Sequence, residues 1–365
     1  MHIVEFTSGT LRFLDRLPAH APASGFVWIY LERENLHAEA ATLQKAAQHL
    51  GGSPILDVHM ADLDNPLHPS GYDYTSIYDL VVFRRLASDA EVRAETAATP
   101  LPQGELKTFA TIRSRAVGFV AFDRLLVTVH PAGCYTAETF IKRFLGDAVQ
   151  ADGLSAAARN RLPASPADLM LRMINVMVDS YLELRKQLNA ELDVWQRQLL
   201  APGSRSTDWR AYLTARTALH TLEDLSEGQH DAMQEWLDTL REQAPAGMHQ
   251  AERDGLLARA RDVIEHIQRV LLHVRRMEEG AEMTIQMHFS ALSHRTNEIM
   301  RVLTALTAVF LPLNFITGFF GMNFEYLPLI HSDKAMWVML GIMVLTLVAV
   351  VMIFWRKRYL DRTGR

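Results

Sequence analysis

The sequence is poor in cysteine and carries no recognisable signal for secretion. Cys134 is the only cysteine among 365 residues, so no intrachain disulfide can form, which is typical of a reducing compartment. The N-terminus lacks a basic segment followed by an apolar core, so we expect no cleaved signal peptide. The net charge of -5 gives no reason to expect a nucleic-acid partner.

Patterns of catalytic residues are also missing. There is no glycine-rich phosphate loop, and the acids Asp57, Asp62 and Asp64 lack an accompanying His, Ser or Lys motif. His266 and His273 lie two helical turns apart, which is too far for a compact zinc site, so we interpret them as surface or interface residues. We predict no catalytic residues and a protein that is not an enzyme.

Long hydrophobic runs are absent from the first 300 residues and concentrated in the last 65. Two uncharged apolar stretches, 302–324 and 336–355, flank a short loop. Each reaches the roughly 20 residues that a helix needs to cross a bilayer core. The second stretch has no polar face, unlike the helices of soluble proteins. The sequence therefore predicts an aqueous region followed by a two-helix membrane hairpin.

The distribution of cations predicts the orientation of this hairpin. Arg295 and Arg301 precede the first stretch, and the tail 356–365 is basic, whereas the connecting loop has Lys334 as its one cation. The positive-inside rule then places both termini in the cytoplasm. We expect a protein with two membrane spans and the lipid bilayer as a partner.

Residues 1–165 show the pattern of an α/β domain. Strand signals occur at 26–31, 80–86, 117–122 and 125–129, and Asp123 with Arg124 separates the last two as in a hairpin. A helical pattern over 38–50 ends at Gly51 and Gly52. Strands interspersed with helices favour one cytoplasmic α/β domain.

The pattern becomes helical after 163–166. Residues 166–247 read as two antiparallel long helices, which stop at 202–203 and 245–247, and 248–324 reads as a stalk helix that continues into the first span. A loop over 325–335, a second span over 336–355 and a cytoplasmic tail over 356–365 complete the predicted division. Because a polar helix of this length needs packing along an apolar stripe, we expect self-association.

Several segments, distributed over most of the chain, together resemble the CorA family of magnesium and divalent-cation channels. The most specific is a Gly-Met-Asn tripeptide, Gly321, Met322 and Asn323, closing the first of two spans. The similar segments are 62–66 (DLDNP), 78–84 (YDLVVFR), 126–130 (LVTVH), 178–181 (VDSY), 261–266 (RDVIEH), 296–300 (TNEIM) and 320–325 (FGMNFE). The resemblance implies a homopentameric funnel whose first span lines a central pore and whose second span packs outside it.

One face of the first span mixes small, polar and apolar residues without charge. Polar groups at membrane depth generally face protein or water, so they either line the path of an ion or bond neighbouring helices. With the resemblance, we predict a pore lined by Asn297, Met300, Leu303, Thr304, Thr307, Leu311, Asn314 and Gly318. Apolar rings at Met300, Leu303 and Leu311 would gate by dewetting.

The tripeptide and the loop are predicted to form the outer mouth. Asn323 matches the residue that rings the mouth in the family, where side-chain carbonyls would meet the waters of Mg²⁺, an ion that dehydrates reluctantly. Glu325 and Asp333 would attract cations. In the cytoplasm, Asp262 matches a family position that binds regulatory metal, and a solvated or salt-bridged carboxylate is the alternative.

The identity of the ion stays open at this point. Leu329 and His331 depart from the loop of magnesium members. The resemblance as a whole still leads us to expect passive transport of Mg²⁺, with Co²⁺ or Ni²⁺ as further ions. One alternative is a zinc transporter of the same superfamily, coupled to protons. The other is a membrane-anchored cation-sensing or scaffold protein without transport.

Overall fold

The computed structural model describes residues 1–7, 10–22, 24–96, 106–134, 139–140, 142, 162–201, 209–243, 248–322 and 335–356. The chain divides into two compact units, Met1–Glu282 and Met283–Arg365. The boundary falls within one long helix. The finer division into six segments made from the sequence stays a prediction.

The first unit is built on a seven-stranded sheet of order β2-β1-β3-β7-β6-β5-β4. Strands β3 and β7 pair in parallel, and the other neighbours are antiparallel. The strands are β1 (His2–Thr7), β2 (Thr10–Leu14), β3 (Gly25–Glu32), β4 (Gly71–Tyr74), β5 (Tyr78–Leu86), β6 (Ser114–Phe122) and β7 (Leu125–His130).

The central strands are buried on both faces, as expected for a sheet with helices on each side. All six residues of β7 are buried, and β3 is buried from Phe26 to Leu31. The short helices are α1 (Leu36–Ala46), α2 (Asp57–Asp64), α3 (Asp89–Thr96) and α4 (Lys107–Ala110). Helix α1 supplies Leu36 and Leu43 to the core on one face of the sheet.

Three long helices follow, and the sequence predicted each of them. They are α5 (Pro166–Leu200), α6 (Trp209–Glu242) and α7 (Gln250–Phe320). Ser165 caps α5 by accepting a hydrogen bond from the Asp168 amide, and Pro166 occupies the first turn, where its missing N–H costs nothing. Helix α5 contacts β3, β5, β6 and β7, while α6 contacts β4 and β5.

The second unit contains the C-terminal part of α7 and helix α8 (Ala335–Arg356). Within the described residues, two helices are long and apolar enough to cross a membrane, Gln250–Phe320 and Met336–Arg356. Helix α7 ends at Phe320, four residues before the predicted end of the first span at residue 324. A Cβ at the next residue, Gly321, would lie 2.9 Å from the Thr317 carbonyl oxygen, so the backbone at this helix end leaves little room for a side chain.

Candidate functional site

The predicted pore residues lie on one exposed face of α7 in the second unit. All eight are exposed in the single chain, and Leu311 is the most exposed of the apolar ones at 69%. At about 100° per residue they occupy one side of the helix. The structure brings together on this face Asn297, Met300, Leu303, Thr304, Thr307, Leu311, Asn314 and Gly318.

The opposite face of α7 is partly covered. Its half-buried residues are centred roughly 160° from the predicted pore face, at 100° per residue. They are Ala305, Ala308, Val309, Pro312, Leu313, Ile316 and Phe320. Helix α8 has a matching half-buried stripe, formed by Met339, Met343, Thr346, Val350 and Phe354. These stripes indicate that the two helices pack on one another and leave the predicted pore face free.

The threonines on the free face have a defined hydrogen-bonding state. The Thr304 hydroxyl donates to the Met300 carbonyl at 2.7 Å, and the Thr307 hydroxyl donates to the Leu303 carbonyl at 2.9 Å. A hydroxyl that donates within its own helix keeps two lone pairs as acceptors. Because the water molecules around a cation point their hydrogens outward, such oxygens are suited to hold a hydrated cation.

The outer end of α7 is described as far as Met322. The Gly321 amide donates to the Thr317 carbonyl at 2.9 Å, and the Met322 amide donates to Phe319 at 3.4 Å. Gly321 and Met322 are exposed. Asn323, Glu325 and Asp333, like the loop residues Leu329 and His331 and the tail beyond Arg356, lie outside the described residues.

The regulatory candidate Asp262 is exposed on α7, in the first unit. Its carboxylate lies 3.9 Å from His266 Nε2, and His266 Nδ1 lies 3.7 Å from Asp179 on α5. Asp262 and His266 are one turn apart, a spacing visible in the sequence. The place of Asp179 follows only from the packing of α5 on α7.

A second group of possible metal ligands joins α6 to α7. Single ligand atoms of His220, Glu223 and Glu278 lie within 4.8 Å of one another. His220 Nε2 is 3.2 Å from Glu278, while Arg275 donates to Glu223 at 2.7 Å and also contacts Glu227. Each of the three residues is already held in an ion pair, so we do not assign a metal site to this group.

Sequence reasoning also missed a half-buried carboxylate between the sheet and α6. Asp79 on β5 accepts hydrogen bonds from the Tyr72 hydroxyl and the Trp236 indole, both at 3.1 Å. Burial raises the pKa of Asp79 to about 6, and the two hydrogen bonds oppose the rise without cancelling it. Asp79 and Trp236 are 157 residues apart, so only the folded chain brings them together.

Comparison with known proteins agrees with this architecture of an α/β domain, long helices and a two-span hairpin. The model of the CorA-like Mg²⁺ transporter protein family matches residues 24–358. The chain therefore belongs to the CorA family.

Two curated relatives and one solved structure illustrate the relationship. The chain is 27% identical to the cobalt/magnesium transport protein CorA of Thermotoga maritima over 53% of this chain and 52% of that one. It is also 38% identical to the cobalt/magnesium transport protein CorA of Methanocaldococcus jannaschii, over 18% of this chain and 21% of that one. The chain thus spans about half the length, or less, of these relatives. The complete structure of the CorA magnesium transporter from Methanocaldococcus jannaschii superposes with a TM-score of 0.70 and 17% identity, covering 100% of this chain and 98% of that one.

Proposed function

We propose that this protein is a homopentameric channel that carries divalent cations passively across a membrane. Mg²⁺ is the first expected ion, and Co²⁺ and Ni²⁺ are further ones. The observation that carries the proposal is the free, uncharged face of α7, lined with threonine and asparagine and opposite the face that packs on α8. In a chain of the CorA family, a ring of copies would turn this face toward a common axis.

The free face supports a mechanism that leaves the cation hydrated. Thr304 and Thr307 present acceptor oxygens, and Asn314 adds an amide about two to three turns further along. Such oxygens bind the waters of the ion rather than replace them, which suits Mg²⁺. Rings of Met300, Leu303 and Leu311 would close the path by dewetting, because a narrow apolar neck excludes a hydrated ion.

The outer mouth and the membrane orientation are part of the same proposal. Gly321, Met322 and Asn323 would form the entry, with Asn323 carbonyls facing incoming hydrated ions, and Glu325 and Asp333 would attract cations to it. The basic residues from Arg356 onward support a cytoplasmic C-terminus. We infer a bacterial inner-membrane location with both termini in the cytoplasm.

Asp262 is the proposed regulatory metal ligand in the cytoplasm. Its neighbourhood supports the role because His266 and, beyond it, Asp179 add an imidazole and a second carboxylate. A divalent ion bound there would report the cytoplasmic concentration of the transported ion. Asp262→Asn should then increase flux at millimolar internal Mg²⁺, whereas flux equal to that of the wild type would remove Asp262 from this role.

The decisive experiment is ion-resolved flux into liposomes containing the purified full chain. We expect uptake of Mg²⁺, Co²⁺ or Ni²⁺ without a proton gradient, and a clear loss in Asn323→Ala. Asn189→Ala on α5 is the matched control and should behave as the wild type does. Absence of any divalent flux would favour a sensing or scaffold protein. Flux that prefers Zn²⁺ and requires a pH gradient would replace the proposal with the zinc transporter.

A further inference from the structure

A small cavity in the first unit lies between α5 and α7. Its volume is about 160 Å³. Val178, Leu182 and Val270 supply apolar wall, and the polar groups are those of Asp179, Tyr181, Arg185, His266, Arg269 and His273. The cavity is therefore a mixed one, in which polar groups of both helices face a shared space.

Three polar atoms of this lining are buried without a hydrogen-bond partner in the described part of the chain, namely His266 Nδ1, the Tyr181 hydroxyl and His273 Nε2. Among the described residues, nothing lies within hydrogen-bond distance of the Tyr181 hydroxyl or of His273 Nε2. Tyr181 is only 3% exposed, and its ring centroid is 6.3 Å from that of His273. Buried polar atoms are normally hydrogen-bonded, so the unpaired Tyr181 hydroxyl and His273 Nε2, which lie on neighbouring rings, indicate a ligand that both can bind.

The electrostatics at this end of the cavity favour a negative ligand. Burial lowers the pKa of His273, and Arg185 and Arg276 lower it further, so the imidazole is neutral at pH 7. Burial raises the pKa of the Tyr181 hydroxyl, while Arg185 partly opposes the rise. Arg185 thus acts on both of these groups. A neutral imidazole and a protonated tyrosine can each donate one hydrogen bond.

The single acid of the cavity lies toward its other end. Asp179 accepts a hydrogen bond from Asn175 at 3.3 Å, and it faces His266 at 3.7 Å. His266 and His273 are seven residues apart, or about 10 Å along the helix axis at 1.5 Å per residue. The same spacing prevents both imidazoles from binding one metal ion, and the arginines that act on His273 disfavour a cation at its end of the cavity.

We propose that this cavity binds a small tetrahedral oxyanion of the phosphate class, to which Tyr181 and His273 donate hydrogen bonds and Arg185 contributes charge. Arg269, one turn before His273, lies at the cavity and adds a second guanidinium; it also lies 3.6 Å from Glu265. The cavity is too small for a nucleotide, so the ligand is a free ion. Bound there, the ion would bridge α5 and α7.

The test uses inorganic phosphate and the full chain in detergent, at pH 7 and at constant ionic strength set with chloride. We expect saturable phosphate binding by calorimetry and a phosphate-dependent rise in the unfolding midpoint. Tyr181→Phe and Arg185→Gln should each weaken binding about tenfold, because each removes one interaction with a charged group. Tyr212→Phe on α6 is the matched control and should bind as the wild type does.

A second measurement keeps the proposal falsifiable if binding is weak. Without phosphate, Tyr181→Phe should unfold at the same temperature as Tyr212→Phe or higher, because it removes a buried hydroxyl that lacks a partner. Phosphate should then raise the midpoint of Tyr212→Phe but not that of Tyr181→Phe. Absence of saturable binding, equal binding by the variants, or a lower midpoint for Tyr181→Phe without phosphate would each overturn the proposal.

Discussion

The two units of the chain bury their apolar side chains to very different extents. In the first unit, Val27, Leu31 and Phe83 are 0% exposed. In the second, Leu311 is 69% exposed and Leu345 is 71% exposed. The first unit therefore buries a hydrophobic core within one chain. The second unit depends on what surrounds it, which for the proposed channel is lipid on one side and further copies on the other.

The difference also separates two kinds of polar group. In the sheet, a buried polar side chain finds a partner from another element, as Trp28 does by donating to Thr128 at 2.9 Å. On the free face of α7, Thr304 and Thr307 find partners only within their own helix. Substitutions of buried side chains in the first unit should therefore disturb stability, whereas substitutions on the free face of α7 should alter the proposed transport.

The largest expected effect is the difference in stability between a leucine-to-alanine substitution in the first unit and one in the second. Leu31→Ala removes a fully buried side chain and should cost about 2–5 kcal/mol in the free energy of unfolding. Leu303→Ala, at 54% exposed, should leave unfolding nearly unchanged and alter flux instead. Denaturant unfolding of both variants measures the contrast, and equal destabilisation would remove the distinction between the units.

The next effect concerns the half-buried carboxyl of Asp79 in the first unit. Because the folded-state pKa of Asp79, about 6, is above its ordinary value, the protonated carboxyl stabilises the fold. That contribution is complete below about pH 4 and is lost as the pH rises through 6. Relative to Asp79→Asn, the wild type should lose about 2 kcal/mol between pH 4 and 7, at roughly 1.4 kcal/mol per unit of pKa shift.

Thermal or denaturant unfolding of both proteins across this pH range measures the loss. Asp193→Asn, at an exposed position on α5 that is not among the charges acting on Asp79, is the control and should leave the pH profile of the wild type unchanged. Parallel profiles for the wild type and Asp79→Asn would show that Asp79 titrates normally.

A smaller effect is expected from wetting the proposed apolar constriction. Leu311→Ser should raise resting divalent flux by about tenfold, because a hydroxyl ring holds water where the leucine ring excludes it. Leu345→Ser makes the same substitution at an exposed leucine on α8, away from the predicted pore face, and should leave resting flux unchanged. Liposome flux without an activating change in internal Mg²⁺ is the measurement; equal effects of the two variants would refute the gate.

The smallest effect should follow loss of one acceptor. Thr307→Val keeps the shape of the side chain and removes its hydroxyl, so flux should fall by about threefold to tenfold, equivalent to one hydrogen bond. Thr346→Val on α8 is closely matched, because that hydroxyl also donates within its helix, to Ile342 at 2.8 Å. A loss of flux only in Thr346→Val would indicate that α8, and not α7, lines the pore.

Local sequence patterns predicted the buried strands and the long helices well. Strands β3, β5, β6 and β7 were recognised because their apolar runs reflect burial on both faces, and the β6–β7 hairpin was confirmed. Strands β1, β2 and β4 were missed. Gly71–Tyr74, for example, is an edge strand with no buried residue, so no apolar signal marks it.

The candidate site divides in the same way. Helical periodicity alone placed Thr304, Thr307 and Asn314 on one face, since all lie within a single helix. Asp179 beside His266, and Asp79 beside Trp236, depend on contacts between different helices and strands. No local pattern encodes such a pair, so these residues appear only in the folded chain.

The half-buried stripes on α7 and α8 have a consequence for biogenesis. Each span already has its partner within the same polypeptide, so the hairpin can enter the membrane as a finished unit during synthesis. The face left over is the one that would surround ions. In the proposed channel, a conducting path therefore exists only after separate copies meet, and a newly inserted subunit leaks nothing while it waits for its neighbours.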